Sequence, residues 1–231
     1  VRDLELIITE LMLADLEFLE RKLHKSRKLA RSGDDAAKAE TALAEAFSKS
    51  LGEGKIPDVS GLSESEKKIV SQMGMITIMP SFVCANVDEE IFRNFGKEES
   101  SKKLIDFAAT KNMEVVPVCG KLEEELAQLD PDEVKEFLAE MGMHESGLDR
   151  VIHTGYKLLN YITFFTAGPQ ESRAWTICDG TAAPQAAGQI HSDMERGFIR
   201  LEVITYDDMV KHNGWNNAKA AGKLRIEGKE Y

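Results

Sequence analysis

Apolar residues recur at helical spacing through the first fifty positions of the chain. No Gly or Pro interrupts residues 2–31, whose apolar positions are Leu4, Ile8, Leu11, Leu16, Phe18, Leu19 and Leu23. This pattern predicts one long helix, which the stop and N-cap signals of Ser32-Gly33-Asp34 then end. A second helix is predicted up to Gly52, with an apolar face of Ala39, Leu43, Ala46 and Phe47. So short a turn predicts a helical hairpin, a structure that pattern alone does not separate from a piece of a helical bundle.

Beyond residue 75 the pattern changes to short apolar runs separated by amphipathic segments. The runs at 81–86 and 115–119 are typical of strands buried on both faces. A helix is predicted between them over 101–111, so the order indicates a βαβ unit with a parallel sheet. Ligands of such sheets bind at the carboxyl ends of the strands, here 86–89 and 119–121. Further helices are predicted to begin at 88–90 and to cover 122–129 and 132–141.

The last third predicts a small α+β module. Strands are expected at 161–165 and 173–177, around a hairpin turn at Ala167-Gly168-Pro169. The remaining predictions are a helix over 181–191, a half-buried strand over 198–204 and a short helix over 207–212. No terminal strand is expected at 228–231.

Composition and charge narrow the class of protein. With 231 residues, 42% hydrophobic and 30% charged, the chain is neither collagen-like, proline-rich nor wholly disordered. It contains no apolar run of roughly 18 residues, no signal-peptide pattern and no C-x-x-C spacing among Cys84, Cys119 and Cys178. A reduced, cytoplasmic protein without a membrane partner or a structural zinc site is therefore expected. The net charge of -11 excludes a surface coated all over by nucleic acid, although residues 75–158 alone account for -8 of it.

A cluster of cations stands out at the tip of the predicted hairpin. It consists of Arg21, Lys22, Lys25, Arg27, Lys28 and Arg31, with His24 among them. Cations near a helix C-terminus suit the helix dipole, so the cluster is compatible with an ordinary solvated helix end. It is also compatible with a basic finger that contacts a phosphate backbone, although the solvated helix end is the commoner case. Spacing does not decide between the two interpretations.

Three stretches of the last third carry a resemblance to a known family. They read TFFTAGPQESRAWTI at 163–177, GTAAPQAAG at 180–188 and IHSDMERGFI at 190–199. These stretches resemble the C-terminal TGS domain of YchF-type Obg-like ATPases, a branch of the Obg family of P-loop NTPases. The opening VRDLELI and the Asn86-Val87-Asp88-Glu89 segment fit the same family in the same order.

The resemblance implies an α/β fold with three parts. They are a partial P-loop NTPase parallel sheet, an antiparallel helical-hairpin (coiled-coil) insert and a C-terminal β-grasp TGS domain. The implied boundaries are 1–16 for an NTPase remnant, 17–74 for the insert, 75–158 for the C-terminal half of the NTPase domain and 159–231 for a truncated TGS domain. The implied partners are the ribosome or ribosomal RNA, which favours the finger interpretation of the basic tip. The oligomeric state is not implied.

The resemblance also implies nucleotide-base-binding residues, namely Asn86, Val87, Glu89, Cys119, Gly120 and Lys121. Related GTPases carry N-K-x-D where this chain has Asn86-Val87-Asp88-Glu89. A glutamate at the last position misplaces the bidentate acceptor for guanine, whereas the backbone C=O and N–H of Val87 suit adenine. ATP is therefore the expected nucleotide, with Asp88 as a rival acceptor that allows some GTP binding. Taken without the resemblance, the segment is an acidic helix start.

A cysteine and a His–Asp pair are two further features that could be taken for functional groups. Cys119 replaces a serine common in GTPases and is expected to be a buried thiol rather than a redox group. His191 and Asp193 do not share a helix face at a spacing of two, so a metal pair is not favoured.

The phosphate-binding motif G-x-x-x-x-G-K-[ST] does not occur in the 231 residues. The chain is therefore expected to be a fragment that lacks the P-loop, the switch regions and the Mg²⁺ ligands, and to be inactive alone. Its intact parent is expected to hydrolyse ATP. The alternative is a non-enzymatic RNA- or ribosome-binding module that uses the basic tip and the TGS domain. A third option is a purely structural dimerisation hairpin.

Overall fold

The computed structural model describes residues 1–168 and 171–231, which fall into two compact units, 1–151 and 152–231. The elements of the first unit are α1 (Arg2–Arg31), α2 (Asp35–Gly52), α3 (Glu64–Met73), β1 (Val83–Asn86), α4 (Glu89–Arg93), α5 (Glu99–Ala109), β2 (Val115–Val118), α6 (Gly120–Leu126) and α7 (Pro131–Glu140). The boundary between the units falls within α8 (Gly147–Leu158). The second unit continues with β3 (Tyr161–Ala167), β4 (Ser172–Cys178), α9 (Ala183–Ile190), α10 (Ser192–Arg196), β5 (Leu201–Val203), α11 (Tyr206–Lys211), α12 (Trp215–Ala220) and β6 (Arg225–Glu227).

The predicted helical hairpin is confirmed, and its turn is built as the sequence indicates. Gly33 adopts a φ of 98°, which favours glycine, and the Asp34 side chain accepts a hydrogen bond from the Ala37 N–H at the start of α2. The predicted apolar face of α2 is wrong at Ala39 and Ala46, which are exposed. The buried face is formed instead by Ala37, Ala44, Phe47 and Leu51.

The helix α3 was not predicted, although its start carries a clear signal. Ser63 accepts from the Glu66 N–H, while Glu66 accepts from the Ser63 N–H, which together form a capping box. The apolar side of α3 joins the first core of the molecule, whose buried members are Leu19, Leu23, Ala44, Phe47, Leu51, Val70, Met73 and Met75.

The βαβ prediction is confirmed, because β1 and β2 pair in parallel with α5 between them. The paired positions run from Val83 opposite Val115 to Asn86 opposite Val118. The expectation of a strand buried on both faces is wrong for β1. Cys84 and Asn86 are exposed on one face, and residues 75–82 lie outside the strand.

A buried carboxylate holds the segment before β1 against α1. Asp15 is 2% exposed and accepts from the Ile76 N–H at 2.9 Å and the Thr77 N–H at 2.8 Å. The Thr77 hydroxyl donates a third hydrogen bond at 2.6 Å. These two backbone donors are committed to Asp15, so the segment at residues 76 and 77 is anchored to α1.

Among its described residues, the second unit contains two antiparallel pairs, β3 with β4 and β5 with β6. The hairpin of β3 and β4 is confirmed, but the turn predicted at Ala167-Gly168-Pro169 lies partly outside the described residues. The strand predicted over 198–204 shortens to β5, and β6 and α12 were not predicted. The predicted helix over 181–191 corresponds to α9, and that over 207–212 to α11. In the described part of the chain, no helix is long and apolar enough to cross a lipid bilayer.

Candidate functional site

The ends of β1 and β2 bring two loops side by side, as the βαβ topology predicts. We call residues 86–89 and 119–121 the base-site loops. The Gly120 N–H donates to Asn86 Oδ1 at 3.3 Å, and a Cβ on Gly120 would lie 3.5 Å from the same oxygen. The Asn86 side chain therefore bridges the two loops and fixes their spacing.

The peptide groups of Val87 are not equally available. Its N–H donates to the Val118 C=O at 2.9 Å, which extends the β1–β2 pairing by one step. Its C=O accepts no hydrogen bond from any described residue. The expectation that Val87 offers both a donor and an acceptor to adenine is therefore wrong for the donor, because strand pairing already uses it.

The two acidic residues of the first base-site loop are engaged in the start of α4. Asp88 is the N-cap, and its Oδ1 accepts from the Ile91 N–H at 2.8 Å. Glu89 forms an ion pair with Arg93 at 2.5 Å, one helical turn later. Each carboxylate therefore has a local partner within α4.

The second base-site loop differs in exposure along its length. Cys119 is 3% exposed and belongs to a buried cluster with Phe92, Leu122 and Leu126. This placement confirms the buried thiol. Lys121 is well exposed, and its Nζ lies 4.0 Å from Glu125, so the ion pair is weak.

Two residues beside the second base-site loop, Gly147 and Glu123, were not predicted from the sequence. The Gly147 N–H donates to Glu123 Oε1 at 2.7 Å, and a Cβ on Gly147 would lie 3.2 Å from Val118 Cα. Only glycine fits this approach to the end of β2 without displacing backbone. The sequence did carry a signal for the start of α8, namely Ser146 three residues before Asp149. In the structure, Ser146 Oγ accepts from the Asp149 N–H at this helix start.

The structure separates the cations of the basic tip, residues 21–31, into paired and unpaired groups. Lys22 Nζ lies 2.9 Å from Glu40, and Arg27 Nη2 lies 2.8 Å from Glu45. Arg21 lies 4.0 Å from Glu17 with both side chains exposed. Within residues 1–168 and 171–231, Lys25, Lys28 and Arg31 form no ion pair, and all three are exposed. The six predicted contact residues therefore do not form one uniform positive surface.

The pair His191 and Asp193 has a structural role in the second unit. His191 Nδ1 accepts from the Asp193 N–H at 3.2 Å and so caps α10. Asp193 forms a further ion pair with Arg196 at 2.6 Å. Among the residues with described positions, no group of three His, Cys, Asp or Glu side chains is arranged to hold a metal ion.

Comparison with known proteins gives matches along the whole chain. A family model named YchF-GTPase_C, described as a protein of unknown function (DUF933), matches residues 161–231. The chain is 45% identical over 229 residues to the ribosome-binding ATPase YchF of Escherichia coli O157:H7, covering 99% of this chain and 62% of that relative. It is 42% identical over 231 residues to the ribosome-binding ATPase YchF of Bacillus subtilis, covering 100% of this chain and 63% of that relative.

A solved structure agrees with these matches. The YchF GTPase of Schizosaccharomyces pombe superimposes with a TM-score of 0.80 at 34% sequence identity, covering 100% of this chain and 62% of that one. The α/β architecture with its parallel and antiparallel strand pairs is therefore shared with that protein. The chain spans 62–63% of the length of the relatives named here.

Proposed function

We propose that this chain, which belongs to the YchF family, forms the base-binding and ribosome-contacting part of an ATP-preferring hydrolase. The chain is homologous to YchF proteins along its whole length. In this proposal residues 17–74 are a helical insert, residues 159–231 are a TGS domain, and the protein acts in the cytoplasm, where ribosomes are. ATP is the nucleotide, and its Mg²⁺ and phosphate ligands are supplied by groups other than the base-site loops.

The observation that carries the nucleotide part is the bridge between the two base-site loops. Asn86 Oδ1 accepts from the Gly120 N–H, and beside this bridge the Val87 C=O has no donor among the described residues. The adenine 6-amino group is a donor and fits that carbonyl, whereas the guanine 6-oxo group is an acceptor and would oppose it.

The donor for adenine N1 must come from a different group than first expected, because the Val87 N–H bonds Val118. The backbone N–H of Glu89 is a good candidate, since it lies at the first position of α4, where a helix has no internal acceptor. We therefore propose that the purine edge meets the Val87 C=O and the Glu89 N–H.

The preference for ATP follows from the state of the two carboxylates. Guanine N1 and N2 donate to one bidentate acceptor in related GTPases. Here the Glu89 carboxylate is held by Arg93, and one Asp88 oxygen caps α4. A guanine ring would have to share a carboxylate that is already oriented by one of these contacts, rather than meet one free to align with N1 and N2.

Binding of ATP and GTP to the 231-residue chain tests this proposal by NMR titration, with the amides of Val87, Glu89 and Gly120 as reporters. We expect ATP to shift these amides at lower concentration than GTP. Arg93→Ala should improve GTP binding, because it releases Glu89. Lys103→Ala is the matched control, since it removes a comparable i,i+4 pair with Glu99 on α5. Equal binding of ATP and GTP by the unmodified chain would contradict the proposal.

A non-enzymatic ribosome-binding module is the second candidate, and two observations favour it. The 231 residues contain no G-x-x-x-x-G-K-[ST] motif, while Lys25, Lys28 and Arg31 remain unpaired in the described residues. Co-sedimentation of the protein with ribosomes in the absence of nucleotide, weakened by salt, would favour this module. Turnover of ATP by the purified protein at the rate of a full-length relative would exclude it.

A further inference from the structure

The two sides of the α1–α2 hairpin differ near the tip. On one side α3 closes the hairpin, and Lys22 Nζ donates to the Gln72 C=O at the end of α3 at 3.5 Å. Arg31 follows Lys22 by nine residues, which at 100° per residue places it on the opposite side of α1. On that side lies an open groove of about 580 Å³, lined from α1 by Glu20, His24, Arg27, Lys28 and Arg31 and from α2 by Ser48. We call it the tip groove.

The tip groove carries an excess of positive charge. Arg27 is neutralised by Glu45, at 2.8 and 3.0 Å, so it contributes a fixed donor rather than net charge. Lys28 and Arg31 have no ion-pair partner among the described residues, and Glu20 is the acidic residue of the lining. Two free cations against one carboxylate favour an anion in the groove.

Unused hydrogen-bonding capacity lies at the same place. Ser48 lines the tip groove, and its Oγ is buried without a partner among the described residues. Buried hydroxyl groups normally have a partner, and an oxyanion in the groove is an acceptor for the Ser48 hydroxyl.

We propose that the tip groove is a phosphate-binding site for RNA, with Lys28 and Arg31 as the charged contacts and Ser48 as a hydroxyl donor. The inference rests on the proposed ribosome contact and specifies which part of the basic tip makes it. It separates Lys28 from Lys25, which is also exposed and unpaired among the described residues but does not line the groove.

The test compares Lys28→Ala with Lys25→Ala in the 231-residue protein, using co-sedimentation with Escherichia coli 70S ribosomes at several salt concentrations. A cation that contacts a phosphate contributes roughly one unit to the slope of log K against log salt. We expect Lys28→Ala and Arg31→Ala each to reduce the slope by about one unit, and Lys25→Ala to leave it unchanged. Ser48→Ala should weaken binding without changing the slope, because it removes a neutral donor. Circular dichroism checks that each variant is folded.

The outcomes distinguish this inference from the function on which it rests. If ribosomes bind but Lys25→Ala and Lys28→Ala reduce the slope of log K against log salt by the same amount, the tip groove is not the binding site, although the ribosome contact stands. If ribosomes do not bind, the proposed function fails. An NMR titration with a short single-stranded RNA then tests RNA binding by the tip groove independently of the ribosome. Shifts of the Ser48 and Arg31 amides would then support it, and unchanged amides would overturn it. Equal shifts with polyglutamate would overturn RNA as the ligand in favour of an acidic protein.

Discussion

The α1–α2–α3 region and the 152–231 unit bury apolar side chains to very different extents. In the helical region Leu19, Met73 and Met75 are at most 1% exposed. Among the described residues of the second unit, the buried apolar side chains are those of alanines, at 183 and 218. Many of its large apolar side chains are open to solvent, with Phe165 60% and Ile199 79% exposed.

This difference indicates that the two regions are stabilised in different ways. The helical region is held by close packing, which is sensitive to the volume of each core side chain. In the second unit the β3–β4 pair is held by backbone pairing and by contacts on one face. There Trp175 stacks on Phe164 with ring centroids 6.5 Å apart, and the Arg173 guanidinium lies 4.3 Å from the Trp175 ring. A truncation that empties a core should therefore matter only in the first region.

The largest expected effect is that of Leu19→Ala, because Leu19 is fully buried between the helices. We expect a loss of about 3–5 kcal/mol in the free energy of unfolding. Leu29→Ala on the same helix is the control, since Leu29 is 56% exposed and should change stability by about 0.5 kcal/mol or less. Phe165→Ala in the second unit should resemble the control. Urea denaturation followed by circular dichroism measures all three, and similar losses for Leu19 and Phe165 would refute the contrast.

Asp15→Ala is expected to have the next largest effect, although it removes no apolar packing. It leaves the Ile76 and Thr77 N–H groups without their buried acceptor. We expect a loss of about 2–3 kcal/mol, and a smaller loss for Asp15→Asn, which keeps one acceptor oxygen. Glu10→Ala, an exposed acidic position on the same helix, is the control. Denaturation midpoints equal for Asp15→Ala and Glu10→Ala would show that the buried carboxylate does not hold this segment.

Asp15 also shows which parts of the fold were open to prediction from the sequence. The α1–α2 turn and the βαβ unit were predictable because their signals are local, in Gly33, Asp34 and the two apolar runs. The bonds from Asp15 to residues 76 and 77 span 61 and 62 residues along the chain. No periodicity records such a contact, so the attachment of residues 76 and 77 to α1 was missed.

The candidate site was predictable to the level of its loops but not of its individual groups. Parallel topology alone places residues 86–89 beside 119–121. The use of the Val87 N–H depends on how far the pairing with β2 continues, which only the observed register gives. In the same way β6 is three residues long and pairs with a strand more than twenty residues earlier, so its pattern is too short to detect.

A medium effect is expected from Thr166→Val in the second unit, where polar contacts take the place of a core. The Trp175 Nε1–H donates to Thr166 Oγ1 at 2.9 Å. Removing this acceptor should cost about 1 kcal/mol and alter the tryptophan fluorescence. Thr163→Val on the same strand is the control, since Thr163 is exposed. An unchanged midpoint for Thr166→Val would mean that this hydrogen bond does not stabilise the β3–β4 pair.

The smallest expected effects concern two partly exposed carboxylates at helix starts, one in each region. The Ser63 hydroxyl and then the Ser63 N–H lower the pKa of Glu66. The Thr205 hydroxyl lowers the pKa of Asp208 in the second unit, and the charge of Lys223, 3.5 Å away, adds to this lowering. A carboxyl group with a lowered pKa in the folded state stabilises the fold above its unfolded pKa. That contribution is lost as the pH falls through the folded pKa, below about pH 4.

The causes differ, so salt should separate the two groups. Sodium chloride screens the Lys223 charge and should raise the pKa of Asp208, while the pKa of Glu66, set by hydrogen bonds, should stay nearly constant. Ser63→Ala should raise the pKa of Glu66 only in part, because the Ser63 N–H remains a donor, and Thr205→Val should raise that of Asp208. Carboxyl carbon NMR titrations measure each pKa directly. A salt response of Glu66 as large as that of Asp208 would show that both helix starts are governed by charge, and the distinction drawn between their capping interactions would then be wrong.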